Sequence, residues 1–184
     1  MSNLKHPLLF SYIYQSIGQS KKLIFNTKNN HFFQMDDNKY RVRRLELEDY
    51  DKGYMNCLNQ LTTSCDITKD EFTTRYNLMK SKGDYHIFVI VDLNNNKIVA
   101  SGTLFVEYKI LRGCAKKGHI EDIVVDKDTR GSGLGKKIVT RLIKLSEELG
   151  CYKTALVCEK DNIPFYEKCG LTELEREMVI YNKK

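Results

Sequence analysis

The chain has 184 residues, 41% of them hydrophobic and 29% charged, enough for one well-buried domain with a short appendage and ordinary for a soluble globule. Its net charge of +6 comes from 30 basic against 24 acidic residues spread along the chain, which excludes the dense single-sign blocks of a nucleic-acid tail and suits a small anionic ligand better than DNA. The apolar start, "MSNLKHPLLFSYIYQSIGQSKKLIF", is interrupted by polar residues every few positions and no small-residue cleavage site follows, so neither a signal peptide nor a membrane span is expected.

Residues 1–38 end in "NTKNNHFFQMDDN", a polar, Asn-rich passage read as a linker or surface extension, so that the core domain is expected over 39–184. "KYRVRRLEL" alternates as a strand does. "EDYDKGYMNCLNQL" places Tyr50, Tyr54, Leu58 and Leu61 at helical spacing. "TKDEFTTRYNLMKSKG" opens on Thr68 as an N-cap with Glu71 three residues on, and stops at Gly83, which predicts a second helix. Then come "YHIFVIVDL", the turn "NNNK" and "IVASGTLFVEYKIL", a hairpin whose meander continues into "GCAKKGHIEDIVVDKD". "LGKKIVTRLIKLSEELGC" carries Leu134, Ile138, Leu142 and Leu145 on one stripe with Gly150 as its stop, a strongly amphipathic helix. "YKTALVCEK" reads as a strand, "NIPFYEKCG" as a short helix and "REMVIYNKK" as a last strand. The order predicts an α+β fold on a single mixed, mainly antiparallel sheet flanked by helices.

Cys57, Cys65, Cys114, Cys151, Cys158 and Cys169 form no CxxC pair and no metal-type spacing with His6, His31, His86 or His119. Reduced, mostly buried thiols in a cytoplasmic protein without a metal are expected.

The passage "DIVVDKDTRGSGLGKK" sets three alternate glycines behind Arg130 at the start of the amphipathic helix. Amides at a helix N-terminus carry partial positive charge and bind anions, and glycine lets a phosphate come close. A P-loop needs four residues between its glycine and the Gly-Lys pair, whereas Gly131 and Gly135 enclose three. The dinucleotide fingerprint needs glycine where Lys136 stands. "RGSGLG" instead resembles the Arg/Gln-x-x-Gly-x-Gly/Ala pattern of the GNAT acetyltransferase superfamily, and the order of elements resembles that fold too. The resemblance implies that Arg130, Gly131, Ser132, Gly133, Leu134, Gly135 and Lys136 hold the pyrophosphate of acetyl-CoA, with Asn162 and Tyr166 at its arm and thiol. A bland helix start after a tight turn could produce the same short pattern.

"KSKGDY", "CAKKGHIEDIVVD", "RGSGLGKK" and "GCYKTALVCEKDNIPFYEKCG" together look like one branch, the eukaryotic glucosamine 6-phosphate N-acetyltransferases, over about Tyr40 to Tyr181. This resemblance implies acetyl transfer to the 2-amino group of glucosamine 6-phosphate, a step toward UDP-N-acetylglucosamine, in a homodimer whose sites are completed by the partner chain. It implies that Lys109, Arg112 and Lys153 serve the phosphate, that Thr62, Glu121, Asp122 and Tyr152 touch the sugar, and that the backbone of Ile123, Val124 and Val125 meets the acetyl-pantetheine. Glu121 is the candidate to orient or deprotonate the amine and Tyr166 to protonate the leaving sulfur. The plain alternatives are a salt-bridge carboxylate, a core aromatic and solvated surface lysines. Three positions depart from the branch: Val157 stands where relatives carry a carboxylate, with Glu159 on the same strand face as a substitute; Arg112 stands where relatives carry a histidine, which keeps the positive charge; and Tyr181 stands where relatives carry an arginine, with Arg176 or Lys183 as substitutes. A GNAT enzyme for another amine or peptide, and a non-catalytic CoA-binding module, are the competing readings.

Overall fold

The computed structural model describes residues 39–62 and 66–182; the expected extension over 1–38, together with Cys65 and Lys183, lies outside them. Five strands, β1 (Tyr40–Arg44), β2 (Tyr85–Asp92), β3 (Lys97–Tyr108), β4 (Lys116–Val125) and β5 (Cys151–Ala155), form one sheet in the order β1-β2-β3-β4-β5. The first four pair antiparallel, β2–β3 and β3–β4 through short connections and β1–β2 through a long helical excursion, and β5 runs parallel to β4. A parallel neighbour needs a crossover. The helix α4 (Leu134–Glu148) supplies it.

The predicted stripe of α4 explains how it seats. Leu134, Ile138, Leu142 and Leu145 are buried with Val139 against Ala100, Leu104, Val106 and Ile120, each side chain contributing about 1.5–3 kcal/mol by leaving water. Two strand glycines make the approach possible: a Cβ at Gly102 would lie 2.5 Å from Ile123 Cδ1 and 2.9 Å from Leu142 Cδ1, and one at Gly118 would overlap the Ser146 side chain. The other face takes α1 (Tyr54–Leu58) and α2 (Lys69–Lys82), whose Tyr54, Cys57 and Phe72 pack on Val89, Val91, Ile98 and Val124. The capping box on α2 forms, Thr68 Oγ1 accepting from the Glu71 amide, and Gly83 ends the helix at φ 77°.

Three expectations are corrected. The helix expected over 48–61 is broken: Leu47–Tyr50 is a 3-10 turn and Gly53, at φ 84°, starts α1 afresh. Asp49 is wholly buried in that turn and takes a two-pronged grip from Arg43 (2.6 Å to each oxygen) with Lys52 at 3.1 Å, which fixes the turn to β1 and leaves no continuous helix there. The last strand expected at 176–184 does not form over the described residues. Residues 172–182 find no strand to pair with among the described residues, and Met178, Ile180 and Tyr181 stand out in solvent. Of the five described cysteines all are unbridged, but Cys57 alone is buried, Cys114 being exposed and the other three half-buried. Among the described residues no helix is long and apolar enough to cross a membrane.

Candidate active site

Strand alternation sorts β4 into two faces. Gly118 and Ile120 face α4, so Lys117, His119 and Glu121 face away from it. Register carries the same face across the sheet, to Thr103, Phe105 and Glu107 on β3 and to Lys153 and Ala155 on β5. The regular ladder then fails at one point. Pairing passes from Ser101↔Val124 to Thr103↔Glu121, so the two residues Asp122 and Ile123 stand against Gly102 alone. Asp122 adopts φ 53°, and this bulge turns the strand just beyond Glu121.

On the other side β4 and β5 pair only from Lys116↔Cys151 to His119↔Ala155. Beyond that point Glu121 to Val125 are bonded to β3 alone, which leaves their backbone on the outer edge open to a ligand. Glu121 is solvent-accessible, yet its carboxyl is pushed above the usual carboxylate range, first by desolvation against the sheet and next by the Asp122 charge. A carboxyl raised in this way is a better proton acceptor than an ordinary one.

The glycine loop lies after the open edge. Gly131 and Gly133 have φ 82° and 78°, conformations that a side chain resists, and no side chain caps α4. The amides of its first turn are therefore unspent. Gly135 has a different duty: a Cβ there would sit 3.1 Å from Phe165 Cζ, so its absence lets α5 (Ile163–Glu167) close on the start of α4. Asn162 precedes α5 and Tyr166 is on it, half-buried, its ring edge-on to Phe165 at 4.9 Å. Burial, with Cys158 and Cys169 nearby, pushes the Tyr166 hydroxyl upward, and the hydroxyl makes no hydrogen bond to the described residues. Arg130 folds back, its Nε donating to the Val125 carbonyl at 3.2 Å. Lys136 is exposed on the first turn of α4.

At the opposite end of β4 a basic corner forms. Lys109 lies just past β3, Arg112 in α3 (Leu111–Cys114), a single turn at the tip of the β3–β4 hairpin, and Lys153 on β5. The Arg112 guanidinium sits over the Tyr152 ring at 4.9 Å. Lys109 is held by Glu107 at 2.5 Å, and the second Glu107 oxygen meets His119 Nε2 at 3.0 Å. These two partners, Lys109 first, hold the Glu107 carboxyl down to about 2. Lys153 reaches Glu175 at 3.7 Å. Two residues before the exposed Thr62, Gln60 ties this segment to the end of β4, donating to Asp126 (2.7 Å) and accepting from the Lys127 amide (2.8 Å).

Not every expected residue joins this arrangement. Strand β5 ends at Ala155, so Val157, 59% exposed, and Glu159 lie beyond it and the same-face argument for Glu159 does not hold. Tyr181 and Arg176 are exposed on the tail. Glu107, Lys117 and His119 were missed by motif reading, although period-two alternation through "KKGHIE" already puts Lys117 and His119 on the face of Glu121.

Residues 40–171 match the acetyltransferase (GNAT) family. The chain belongs to the GNAT acetyltransferase family. It is 45% identical over 146 residues to glucosamine 6-phosphate N-acetyltransferase 1 of Dictyostelium discoideum, covering 79% of this chain and 92% of that protein. The crystal structure of glucosamine-6-phosphate N-acetyltransferase from Arabidopsis thaliana superposes with a TM-score of 0.76 at 42% identity, covering 78% of this chain and 99% of the other. A Trypanosoma brucei acetyltransferase gives 0.73 at 32% identity, with 78% and 99% covered. As a GNAT acetyltransferase the chain uses acetyl-CoA. The uncapped amides of α4 and the open edge of β4 fit a diphosphate and an extended amide-bearing arm respectively. Among the described residues no group of three or more His, Cys, Asp or Glu is placed to hold a metal.

Proposed function

We propose that the protein transfers the acetyl group of acetyl-CoA to the 2-amino group of glucosamine 6-phosphate, giving N-acetylglucosamine 6-phosphate and CoA, a step toward UDP-N-acetylglucosamine. The observation that carries this reading is the linear order along β4: basic corner, Glu121, open strand edge, glycine loop. A phosphorylated amine entering from one end and a thioester laid along the edge from the other meet at Glu121. The names and extents of the Dictyostelium and Arabidopsis relatives support the same substrate.

The chemistry then needs few groups. Glu121 takes a proton from the substrate ammonium, directly or through water, and the freed amine attacks the thioester carbonyl. The oxyanion develops beside the unpaired β4 backbone, where an N–H donor stabilises it. Collapse expels CoA thiolate, Tyr166 donates its unspent hydroxyl proton to the sulfur, and the second proton shed by the nitrogen as the amide forms returns to Tyr166 through solvent. Lys109, Arg112 and Lys153 take the phosphate, Thr62, Asp122 and Tyr152 the sugar, Ile123 to Val125 the pantetheine, and Arg130 to Lys136 with Asn162 the CoA arm. We place the reaction in a homodimer, on the support of the apolar tail left uncovered in one chain, and in the cytoplasm, a reducing compartment that suits the five unbridged cysteines of the described residues.

Thiol release measured with glucosamine 6-phosphate and with glucosamine tests the reading. The expected result is a kcat/KM at least about a hundredfold higher for the phosphorylated sugar, the scale of two charge-assisted contacts. Release with neither sugar, or equal efficiency with both, overturns it.

A further inference from the structure

We propose that Lys117, on β4, is a substrate-binding residue that grips the sugar phosphate and sets the preference for phosphorylated over free amino sugar. The inference rests on the proposed function. It deepens it, because neither the glycine loop nor the resemblance assigns this lysine.

Its place in the sheet carries the argument. Lys117 faces away from α4, on the face of Glu121, with Glu107 opposite it on β3 and Lys153 opposite it on β5. Adjacent strands lie about 4.8 Å apart, so two lysines stand side by side, an unfavourable pairing unless something negative lies between them. The nearest in-register carboxylate does not relieve it. Glu107 spends one oxygen on Lys109 and the other on His119. Lys153 has only Glu175, 3.7 Å away and 73% exposed in its side chain, a pair that solvent screens. Among the described residues no carboxylate pairs with Lys117, although it is half-buried. Lys109, Lys117 and Lys153 thus share a corner in which Glu107 is already occupied, with Arg112 nearby at the hairpin tip over Tyr152. A half-buried like-charge pair held on rigid strands is a poor device for stability and a good one for a dianion.

The reach also fits. Lys117 lies four residues before Glu121, about 13 Å along the strand, a span that one hexose, its phosphate and the two side chains fill. With the amine at Glu121, the 6-phosphate points to the corner rather than to the glycine loop.

The test is the discrimination ratio, kcat/KM for glucosamine 6-phosphate over kcat/KM for glucosamine, in the full chain. Lys117→Met should lower it about tenfold, the size of one charge-assisted hydrogen bond at a half-exposed position, with the loss in KM for the phosphorylated sugar. Lys117→Arg should keep it within about twofold of wild type. Lys117→Gln, polar and similar in length, is the second neutral variant should the first not fold. A ratio unchanged in the neutral variants, or equal losses on both sugars, overturns the role of Lys117 while leaving the proposed function standing. A wild type that shows no preference for the phosphorylated sugar overturns both.

Discussion

Tyr166 shows how one side chain is claimed by two roles. Its ring packs beside Phe165 against the α4 core, as a structural aromatic would, while its hydroxyl is left without a hydrogen bond to the described residues. A phenol meant only for packing would be served as well by Phe. Tyr166→Phe keeps the ring and nearly all the buried area, so the melting temperature and both KM values should stay close to wild type. If the hydroxyl protonates the departing thiolate, kcat should fall by roughly ten- to a thousandfold. A kcat within about twofold of wild type, with chemistry shown to limit turnover, would make Tyr166 a packing residue.

At the scale of elements, what was legible in the sequence is what local chemistry decides alone. The α2 capping box, the buried stripe of α4 and the stops at Gly83 and Gly150 all depend on neighbours within a few residues, and each forms. The reading of 48–61 as one helix passed over Gly53, and the Arg43–Asp49 pair that fixes the preceding turn joins β1 to a later segment and leaves no periodicity. The bulge at Asp122 was hidden for a similar reason, since it is a shift in the register of β4 against Gly102 on β3, a partner far away in the sequence. Of the candidate site, the glycine loop was readable from spacing, whereas the basic corner assembles from three strands and the parting of β4 from β5 depends on register. The loop makes an element-scale prediction. Gly133→Val forces a β-branched residue into φ 78° and crowds the first turn of α4, so acetyl-CoA affinity measured by calorimetry should drop tenfold or more while sugar binding changes little. Unchanged affinity would remove the loop from the cosubstrate site.

At the scale of the molecule, the tail decides whether one chain is a finished object. Leu174, Met178, Ile180 and Tyr181 are 78–94% exposed, and each would gain about 1.5–3 kcal/mol if buried. Among the described residues the sheet ends at β5, which is bonded there on one side only. An unpaired edge and an uncovered apolar segment of strand-forming residues complement each other, and on our proposal the tail of one protomer pairs with its partner. Withdrawing the tail has a chemical consequence as well. In the single chain Glu175 lies on Lys153 and the Glu177 charge helps raise the Glu121 carboxyl, so the tail brings carboxylates to the groups assigned to phosphate and amine. Exchange between protomers would free Lys153 for substrate. Sedimentation of the full chain at micromolar concentration should therefore give a dimer. A chain ending at Glu173 should sediment as a monomer and lose at least about tenfold in kcat/KM for glucosamine 6-phosphate. Ile180→Asp, which places a charge in the apolar run without shortening the chain, should shift the same equilibrium toward monomer. A full-length chain that is monomeric and fully active, or a truncated chain that remains dimeric, would show that the tail neither joins the protomers nor completes their sites.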